Sequence, residues 1–514
     1  MNLPALILAL LPLPVLAQPV LNIAIPRQPA QLDPQRASIP QDMAAVRALF
    51  EGLLRDGPDS RPVPALAATH EVSEDGLTHR LRLNPAQWSD GQPLTAADAV
   101  AALQRLADPA LASPHRGLIG ALHLENAAAV LAGSLPPDQL GARAEGDTLV
   151  LTTTQPVPAL AAILTHSATF PIPAHALREG WTAADQIVTS GAFRPATPPE
   201  GAGWALRRNP DWRLADSLRI EGLNGYINSD VGAELDAFSG GRLDVVALPP
   251  AHLPQAQARF GEAARSTPLP CTMGYVVNLG PDAPPALQDP EIRRALSLAL
   301  NRDEMIATVL QDGQRPAWGW TPSDMPGFTA PENADAARSQ EDRTTEAAAI
   351  LSAAGYDKDR PLRVHVATNA DPDNRRMARA LRHYWQDMNV TVRIDENDWD
   401  THAAKLGKHD FMLARYGWCG DYADAAAFQS VFGPSGTNPG LYADAEYQSL
   451  LAEAAESEGA DRAAAQTEAE ARLIADLPVI PVFHYAQGML VAERVQGFSP
   501  NPMGRWYPQD LGLN

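Results

Sequence analysis

Two kinds of apolar pattern alternate along this chain, one with a period of two residues and one with the period of a helix. In "PLRVHVAT" every second residue from Leu362 to Val366 is apolar, and "VTVRI" alternates in the same way from Val390 to Ile394, which predicts two strands. A helical pattern fills residues 373–387 between them. Elements of these lengths predict a βαβ unit. Because strands and helices are interleaved throughout, the fold class is α/β with mixed sheets.

Helix-start signals support this interpretation near the middle of the chain. Residues 275–279 predict a strand, and the sequence "QDPEIRRALSLALNRDEM" follows it. Asp289 can cap a helix whose first residue is Pro290, a position where the missing N–H of proline costs nothing. The apolar stripe that follows predicts a helix, either continuous or in two pieces around Asn301.

Length and charge exclude some classes of protein. A chain of 514 residues is too long for one ordinary core, so two or three domains are expected. The formal net charge of -21 argues against a nucleic-acid partner, whose phosphates need a basic face. The charge names no other partner by itself.

The amino-terminal stretch "MNLPALILALLPLPVLAQ" predicts a secretory signal peptide cleaved after Ala17. It carries no lysine or arginine, and the alternatives are a buried strand or a membrane anchor. The run is short for a span and is interrupted by prolines. No cysteine follows the cleavage site, so the mature protein offers no residue there for lipidation. We therefore expect an exported, unlipidated protein of the periplasm.

The chain has two cysteines, Cys271 and Cys419. Export to an oxidising compartment favours a disulfide between them, and the alternative is two buried free thiols. A disulfide would close a loop of about 150 residues, which the chain-entropy model values at about 5 kcal/mol before strain.

Motifs for catalysis or metal binding are missing from the sequence. It contains no G-x-S-x-G, no H-E-x-x-H, no P-loop and no C-x-x-C, and its twelve histidines form no pairs at i, i+4. We expect no metal and no cofactor. A catalytic triad assembled from distant residues stays open.

Several stretches resemble one family over nearly the whole mature chain: "VSEDGLTHRLRLNPAQWSDGQPLTAADAV", "DPALASPHRGLIGAL", "IVTSGAFRP", "PEIRRALSLALNRDEMI", "AAAILSAAGY" and "ARYGWCGDYADAAAF". The chain resembles the peptide-binding family of periplasmic solute-binding proteins that serve ABC importers. The "GWC" and "DY" residues of the last stretch, with a second cysteine before "GYVVN", point to the oligopeptide-binding and murein-tripeptide-binding branch.

The resemblance implies a two-lobed fold around a cleft, with a hinge of two crossovers and an extra subdomain in the N-terminal lobe. The crossovers would lie near residues 268–271 and 485–488, and closure on ligand would be a hinge motion. The expected parts are a signal peptide (1–17), the first part of lobe I (18–48), its inserted subdomain (49–184), its second part (185–269), lobe II (270–486) and a C-terminal return to lobe I (487–514).

By resemblance, Asp421 holds the α-ammonium of a peptide ligand. A buried ammonium needs a carboxylate, because an unpaired buried charge costs several kcal/mol. The alternative for Asp421 is a helix N-cap or turn residue. Arg415 would face the ligand carboxylate or side chains, or else form a structural ion pair. His115 stands where the branch usually has a tyrosine, and Tyr485 would line the cleft near the second crossover.

The ligand backbone also needs partners, and an extended peptide can pair as an added strand. By resemblance, Gly417, Trp418 and Cys419 belong to one protein strand that pairs with it. Ser38 and Ile39 belong to the other. Trp418 could equally be a core residue.

The chain departs from the branch where cations near the ligand C-terminus are expected. Leu406, Asn374 and Leu310 replace a basic residue, a histidine and a lysine. The neighbouring Lys405, Lys408 and His409 either compensate or form a solvated surface. The length and C-terminal chemistry of the ligand therefore stay open.

The resemblance implies a monomeric, non-catalytic binding protein that captures short peptides and delivers them to an inner-membrane ABC permease. One alternative is the same fold with another ligand: a murein peptide, an amino-acid derivative, a glycan, haem or a metal chelate. A secreted hydrolase and a redox-active thiol protein are the alternatives from other classes.

Overall fold

The computed structural model describes residues 19–178, 180–227 and 230–514. The predicted signal peptide lies outside these residues. The strands in chain order are β1 (Val20–Ile25), β2 (Leu54–Asp56), β3 (Pro62–Pro64), β4 (Ala67–Val72), β5 (Thr78–Leu83), β6 (Ala86–Gln87), β7 (Pro93–Leu94), β8 (Ala142–Glu145), β9 (Thr148–Thr152), β10 (Phe193–Pro195), β11 (Trp204–Arg208), β12 (Gly222–Ile227), β13 (Val245–Ala247), β14 (Ala264–Val277), β15 (Arg315–Pro316), β16 (Leu362–Asn369), β17 (Val390–Asn397), β18 (Leu413–Cys419), β19 (Val479–Val491), β20 (Val495–Gln496) and β21 (Gly512–Leu513).

The α-helices are interleaved with these strands. They are α1 (Pro40–Leu49), α2 (Ala96–Ala107), α3 (Gly117–Ala121), α4 (Ala127–Leu131), α5 (Leu160–Ile163), α6 (Val231–Ser239), α7 (Leu253–Phe260), α8 (Pro290–Leu298), α9 (Arg302–Met305), α10 (Gln340–Ala353), α11 (Pro372–Gln386), α12 (Trp399–Gly407), α13 (Ala426–Gln429), α14 (Ala445–Glu456) and α15 (Gly459–Asp476). Among the described residues, no helix combines the length and the apolar character that crossing a bilayer requires.

One large mixed sheet organises the molecule. Its strand order is β10-β11-β12-β1-β13-β19-β14-β18-β16-β17, and β15 adds to β19. β1 pairs in parallel with β12 and β13, whereas β14 pairs antiparallel with both β18 and β19. The predicted α/β class with mixed sheets is confirmed.

The predicted βαβ unit is formed by β16, α11 and β17. The two strands pair in parallel along their whole length, from Leu362 opposite Val390 to Asn369 opposite Asn397. The inward residues of both strands pack with Trp385 of α11 in one apolar core. The apolar residues of the alternating pattern are therefore the ones that the two strands bury against α11.

A separate four-stranded sheet has the order β4-β5-β9-β8. Its strands lie between residues 67 and 152, inside the segment that was expected to form an inserted subdomain, and α2 and α3 lie between β5 and β8 in the chain. β5 alternates between buried and exposed residues, and His79, Leu81 and Leu83 are its buried face. A sheet with one buried face has this pattern.

β14 and β19 connect the two halves of the large sheet. Residues 264–268 of β14 pair with residues 486–490 of β19, and residues 272–276 pair with residues 479–484. The register shifts between these two stretches, at the place where the two crossovers were expected. A β-bulge of this kind bends a strand pair and increases its twist.

Candidate functional site

β18 carries the central part of the site, and half of one of its edges is open. It pairs with β14 from Leu413 to Cys419, but with β16 only at Leu413 and Ala414. Beyond Ala414, no strand of the described chain covers this second edge. Open edges of this kind accept an added strand, and Gly417 and Trp418 lie on the open part.

The two cysteines fasten this strand to its neighbour. Cys271 of β14 lies directly opposite Cys419 of β18, and a disulfide joins them across a sequence separation of 148 residues. The predicted pairing is therefore present, and it holds the end of β18 next to the register shift in β14.

Asp421 lies two residues after the end of β18, and its carboxylate has no partner among the described residues. Its carboxylate makes no ion pair or hydrogen bond with any group that the structure describes, whereas its backbone carbonyl accepts a hydrogen bond of 2.8 Å from Arg505 Nη2. The Asp421 side chain is exposed, yet the protein around it still desolvates the carboxylate enough to raise its pKa, and the nearby His115 and Arg505 oppose this. α13 begins at Ala426, and its N-cap is Ala425, so Asp421 is not a helix cap.

Two histidines lie beside this carboxylate. His115, His166 and Asp421 each place one potential ligand atom within 4.8 Å of the others. His115 Nε2 lies 2.7 Å from the carbonyl oxygen of Ala37, and because a carbonyl oxygen only accepts, Nε2 is the donor. His166 is buried, and its pKa lies well below the ordinary value because of burial, then the nearby His115 and Arg505.

This cluster does not suit a metal ion. His166 Nδ1 accepts a hydrogen bond of 3.1 Å from the backbone N–H of Ala168. A neutral imidazole that accepts at Nδ1 carries its proton on Nε2, so that nitrogen cannot coordinate. The nearby Arg505 guanidinium also opposes a cation.

Ser38 and Ile39 follow Ala37, whose carbonyl contacts His115 beside Asp421. Ser38 is exposed, and it belongs to no strand. Ile39 is extended, with φ -103° and ψ 152°, and is the N-cap of α1. Within the described residues, neither Ser38 nor Ile39 belongs to a strand, so their pairing with a ligand backbone stays a prediction.

Arg415 and Tyr485 meet at the other end of the open edge. Arg415 Nη2 donates a hydrogen bond of 2.7 Å to the Tyr485 hydroxyl. No carboxylate of the described chain pairs with Arg415, and its buried Nε has no partner. A Cβ added at Gly417 would lie 3.3 Å from Arg415 Nη2, so a side chain there would press on the guanidinium in its present position.

Trp418 is half-buried and belongs to the wall of a large cavity. Its indole N–H donates a hydrogen bond of 2.7 Å to the carbonyl of Ala427. Its ring lies nearly parallel to that of Tyr416, with centroids 6.5 Å apart. Trp418 and Asp421 both line the cavity, whose volume is about 900 Å³.

A carboxylate without a partner, beside an open strand edge and a large cavity, is typical of a ligand-binding cleft. The sequence model of the bacterial extracellular solute-binding proteins, family 5, matches residues 61–440. The chain belongs to this family.

Comparison with three proteins illustrates the similarity. The chain is 30% identical over 492 residues to the periplasmic oligopeptide-binding protein OppA of Escherichia coli K12, covering 93% of this chain and 90% of that protein. It is 30% identical over 507 residues to the probable deoxycholate-binding periplasmic protein YgiS of the same strain, covering 97% and 94%. The unliganded open form of MppA, a periplasmic murein tripeptide-binding protein, superposes with a TM-score of 0.85 at 26% identity, covering 97% of each chain.

Three positions where the resemblance implied a basic residue offer no cation to the cleft in this chain. Asn374 is buried and donates a hydrogen bond to Asn369. Leu310 is buried, and Leu406 is partly buried against the core. Lys405 forms ion pairs of 3.0 Å with Asp395 and 3.6 Å with Asp410.

Lys405, Lys408 and His409 line a different cavity. Its volume is about 740 Å³, and it shares no lining residue with the cavity beside Asp421. Arg415 is therefore the cation that lies closest along the chain to Asp421 among these residues, and no carboxylate of the described chain pairs with it.

A buried network of residues that no sequence pattern indicates positions Asp421. Arg505 Nη1 donates to Asp56 Oδ2 at 2.7 Å, and the Tyr507 hydroxyl donates to the same oxygen at 2.9 Å. The hydroxyl of Thr165 donates to the other oxygen of Asp56 at 2.9 Å. No motif marks these residues, since they come from three distant segments.

Proposed function

We propose that this protein captures short peptides in the cleft and delivers them to an inner-membrane ABC permease. The observation that carries this proposal is the unpaired Asp421 carboxylate next to the open edge of β18. The Asp421 side chain is exposed in this structure, and a bound ligand would cover it. A covered carboxylate is costly without a cation, and a peptide α-ammonium would supply one. The open edge would pair with the ligand backbone, which makes binding tolerant of ligand sequence.

The remaining predicted residues would complete the contacts. Gly417, Trp418 and Cys419 would present the strand edge, and Ser38 and Ile39 would face it across the ligand. Arg415, oriented by Tyr485, would receive the ligand carboxylate or an acidic side chain. His115 would add a polar side chain near Asp421.

The family relationship supports further parts of the proposal. We propose two lobes with the predicted boundaries, which close by bending at the register shift between β14 and β19. We also propose a monomeric, unlipidated periplasmic protein that releases its ligand unchanged, since the site consists of complementary charges and backbone groups.

The walls of the cavity favour a second candidate ligand, an amphipathic molecule without an amine. One relative is named as a probable deoxycholate-binding protein, and most residues that line the cavity here are apolar. Asp421 opposes this candidate, because a carboxylate would repel an anionic amphiphile.

Mass spectrometry of the ligand carried by protein purified from the periplasm tests the proposal. A mixture of short peptides with free amino termini would support it. Calorimetry should then show that N-acetylated peptides bind more than tenfold more weakly than their free counterparts. A single non-peptide species would reject the peptide function.

A further inference from the structure

The cavity beside Asp421 is an apolar chamber between two parts of the chain. One wall comes from residues 117–131 and 154–163, and the other comes from residues 418–466. The residues that give the walls their apolar character include Leu118, Leu124, Ile163, Trp418, Val431 and Leu451. A volume of about 900 Å³ is in the range of small-molecule sites.

Asp421 is the only carboxylate among the described residues that line this apolar chamber. The guanidinium of Arg462 also lines it, but two hydrogen bonds of 2.8 and 2.9 Å pair that group with Asp424. The chamber therefore offers one unpaired negative charge at an apolar wall. A ligand that satisfies both features has an ammonium next to a bulky apolar group.

We propose that the apolar chamber receives the first side chain of the peptide and selects peptides whose first residue is bulky and apolar. This inference rests on the proposed function. An ammonium bound at Asp421 brings the first Cα of the ligand to the chamber wall, so its side chain is the group within reach. Each methylene removed from water there strengthens binding about fourfold.

Glycines in α3 help to leave the chamber empty. A Cβ added at Gly117 would meet no atom within 4 Å, and one added at Gly120 would meet only Leu131 Cδ1, at 4.0 Å. Close packing therefore does not require glycine at either position. Both glycines line the chamber, so a side chain placed there has room to extend toward it.

The test compares two tripeptides, Phe-Ala-Ala and Gly-Ala-Ala, by calorimetry on the unliganded full-length mature protein. We expect the phenylalanine peptide to bind at least tenfold more tightly. The variant Gly120→Leu should reduce this ratio to about threefold or less, and the matched control Gly120→Ala should retain most of it. Gly117→Val serves as a second chamber-filling variant if Gly120→Leu does not fold.

The outcomes separate this inference from the proposed function. Equal binding of the two peptides would overturn the selectivity and leave peptide binding intact. An unchanged ratio in a folded Gly120→Leu or Gly117→Val variant would place the first side chain elsewhere and overturn the inference. Binding of deoxycholate with no binding of either peptide would overturn both.

Discussion

Replacement of Asp421 by asparagine tests the central electrostatic argument with a nearly isosteric side chain. The variant keeps the shape of the site and removes the negative charge. A hydrogen bond to a charged group contributes about 1.5–3 kcal/mol, so Asp421→Asn should weaken binding of a free-amine peptide by roughly 10- to 150-fold. The folded empty protein should not lose stability, because desolvation already disfavours this carboxylate in its charged form.

Calorimetry on a double cycle isolates the ammonium contact. The parent and Asp421→Asn are each titrated with one tripeptide and with its N-acetylated form. We expect a coupling energy of about 1.5–3 kcal/mol, with the acetylated peptide binding both proteins about equally. Equal losses for both peptides, giving no coupling, would refute the ammonium role. A lower melting temperature of the empty variant would instead mean that Asp421 stabilises the fold.

The pH dependence of the same titrations gives an independent check. The pKa of Asp421 is raised in the free protein, and a bound ammonium would lower it because the ammonium favours the charged form. Affinity should therefore fall as the pH drops through the raised pKa of the free protein. The Asp421→Asn variant should lack this component, and an identical pH profile in both proteins would contradict the argument.

Three further predictions concern other parts of the molecule. Replacement of both Cys271 and Cys419 by serine should lower the free energy of unfolding by up to about 5 kcal/mol, measured by denaturant titration. An unchanged value would mean that removal of the disulfide does not increase the entropy of the unfolded chain. Arg415→Gln should remove any preference for a free-acid over a C-terminally amidated peptide, and a preference that survives would place the ligand carboxylate elsewhere. Burial, then the nearby Arg315, lowers the pKa of His484 to about 3, so the unfolded chain binds an extra proton below about pH 6.5 and stability falls toward pH 3. In His484→Gln the number of protons taken up on unfolding between about pH 6.5 and pH 3 should fall by up to one. The free energy of unfolding is measured by denaturant titration at several pH values, and the same dependence on pH in both proteins would contradict this.

The elements with strong local signals were predictable from sequence. α8 begins at Pro290, and the Asp289 side chain accepts a hydrogen bond from the N–H of Glu291. The helical stripe does divide at Asn301, which caps α9. Both features depend on residues a few positions apart, so tertiary context did not need to be known.

The long strand β14 was only partly predictable. Residues 275–279 indicated a strand, but β14 runs from Ala264 to Val277 and contains Pro268 and Pro270. Proline cannot donate a ladder hydrogen bond and is tolerated at bulges. The register shift near these prolines arises from the pairing of β14 with β19, which lies more than 200 residues away in the chain. A local sequence pattern cannot predict such a pairing.

The candidate site shows the same limit. The motif around Asp421 identified that residue as a candidate, and the open edge of β18 supports it. His166 and Arg505 carry no local signal, because their importance comes only from their position beside Asp421. Ser38 and Ile39 were assigned by resemblance to a strand that pairs with the ligand; among the described residues they belong to no strand, and their role stays a prediction.

The shared strands β14 and β19 also determine how the molecule can be divided. Each strand pairs with the other on both sides of the register shift, while β13 adds to β19 and β18 adds to β14. A fragment cut at either crossover would therefore expose unpaired backbone groups along a long apolar strand, which favours aggregation. We expect that the two halves cannot be produced as separate soluble proteins, and that a split reporter built from them would work only when both fragments are made together.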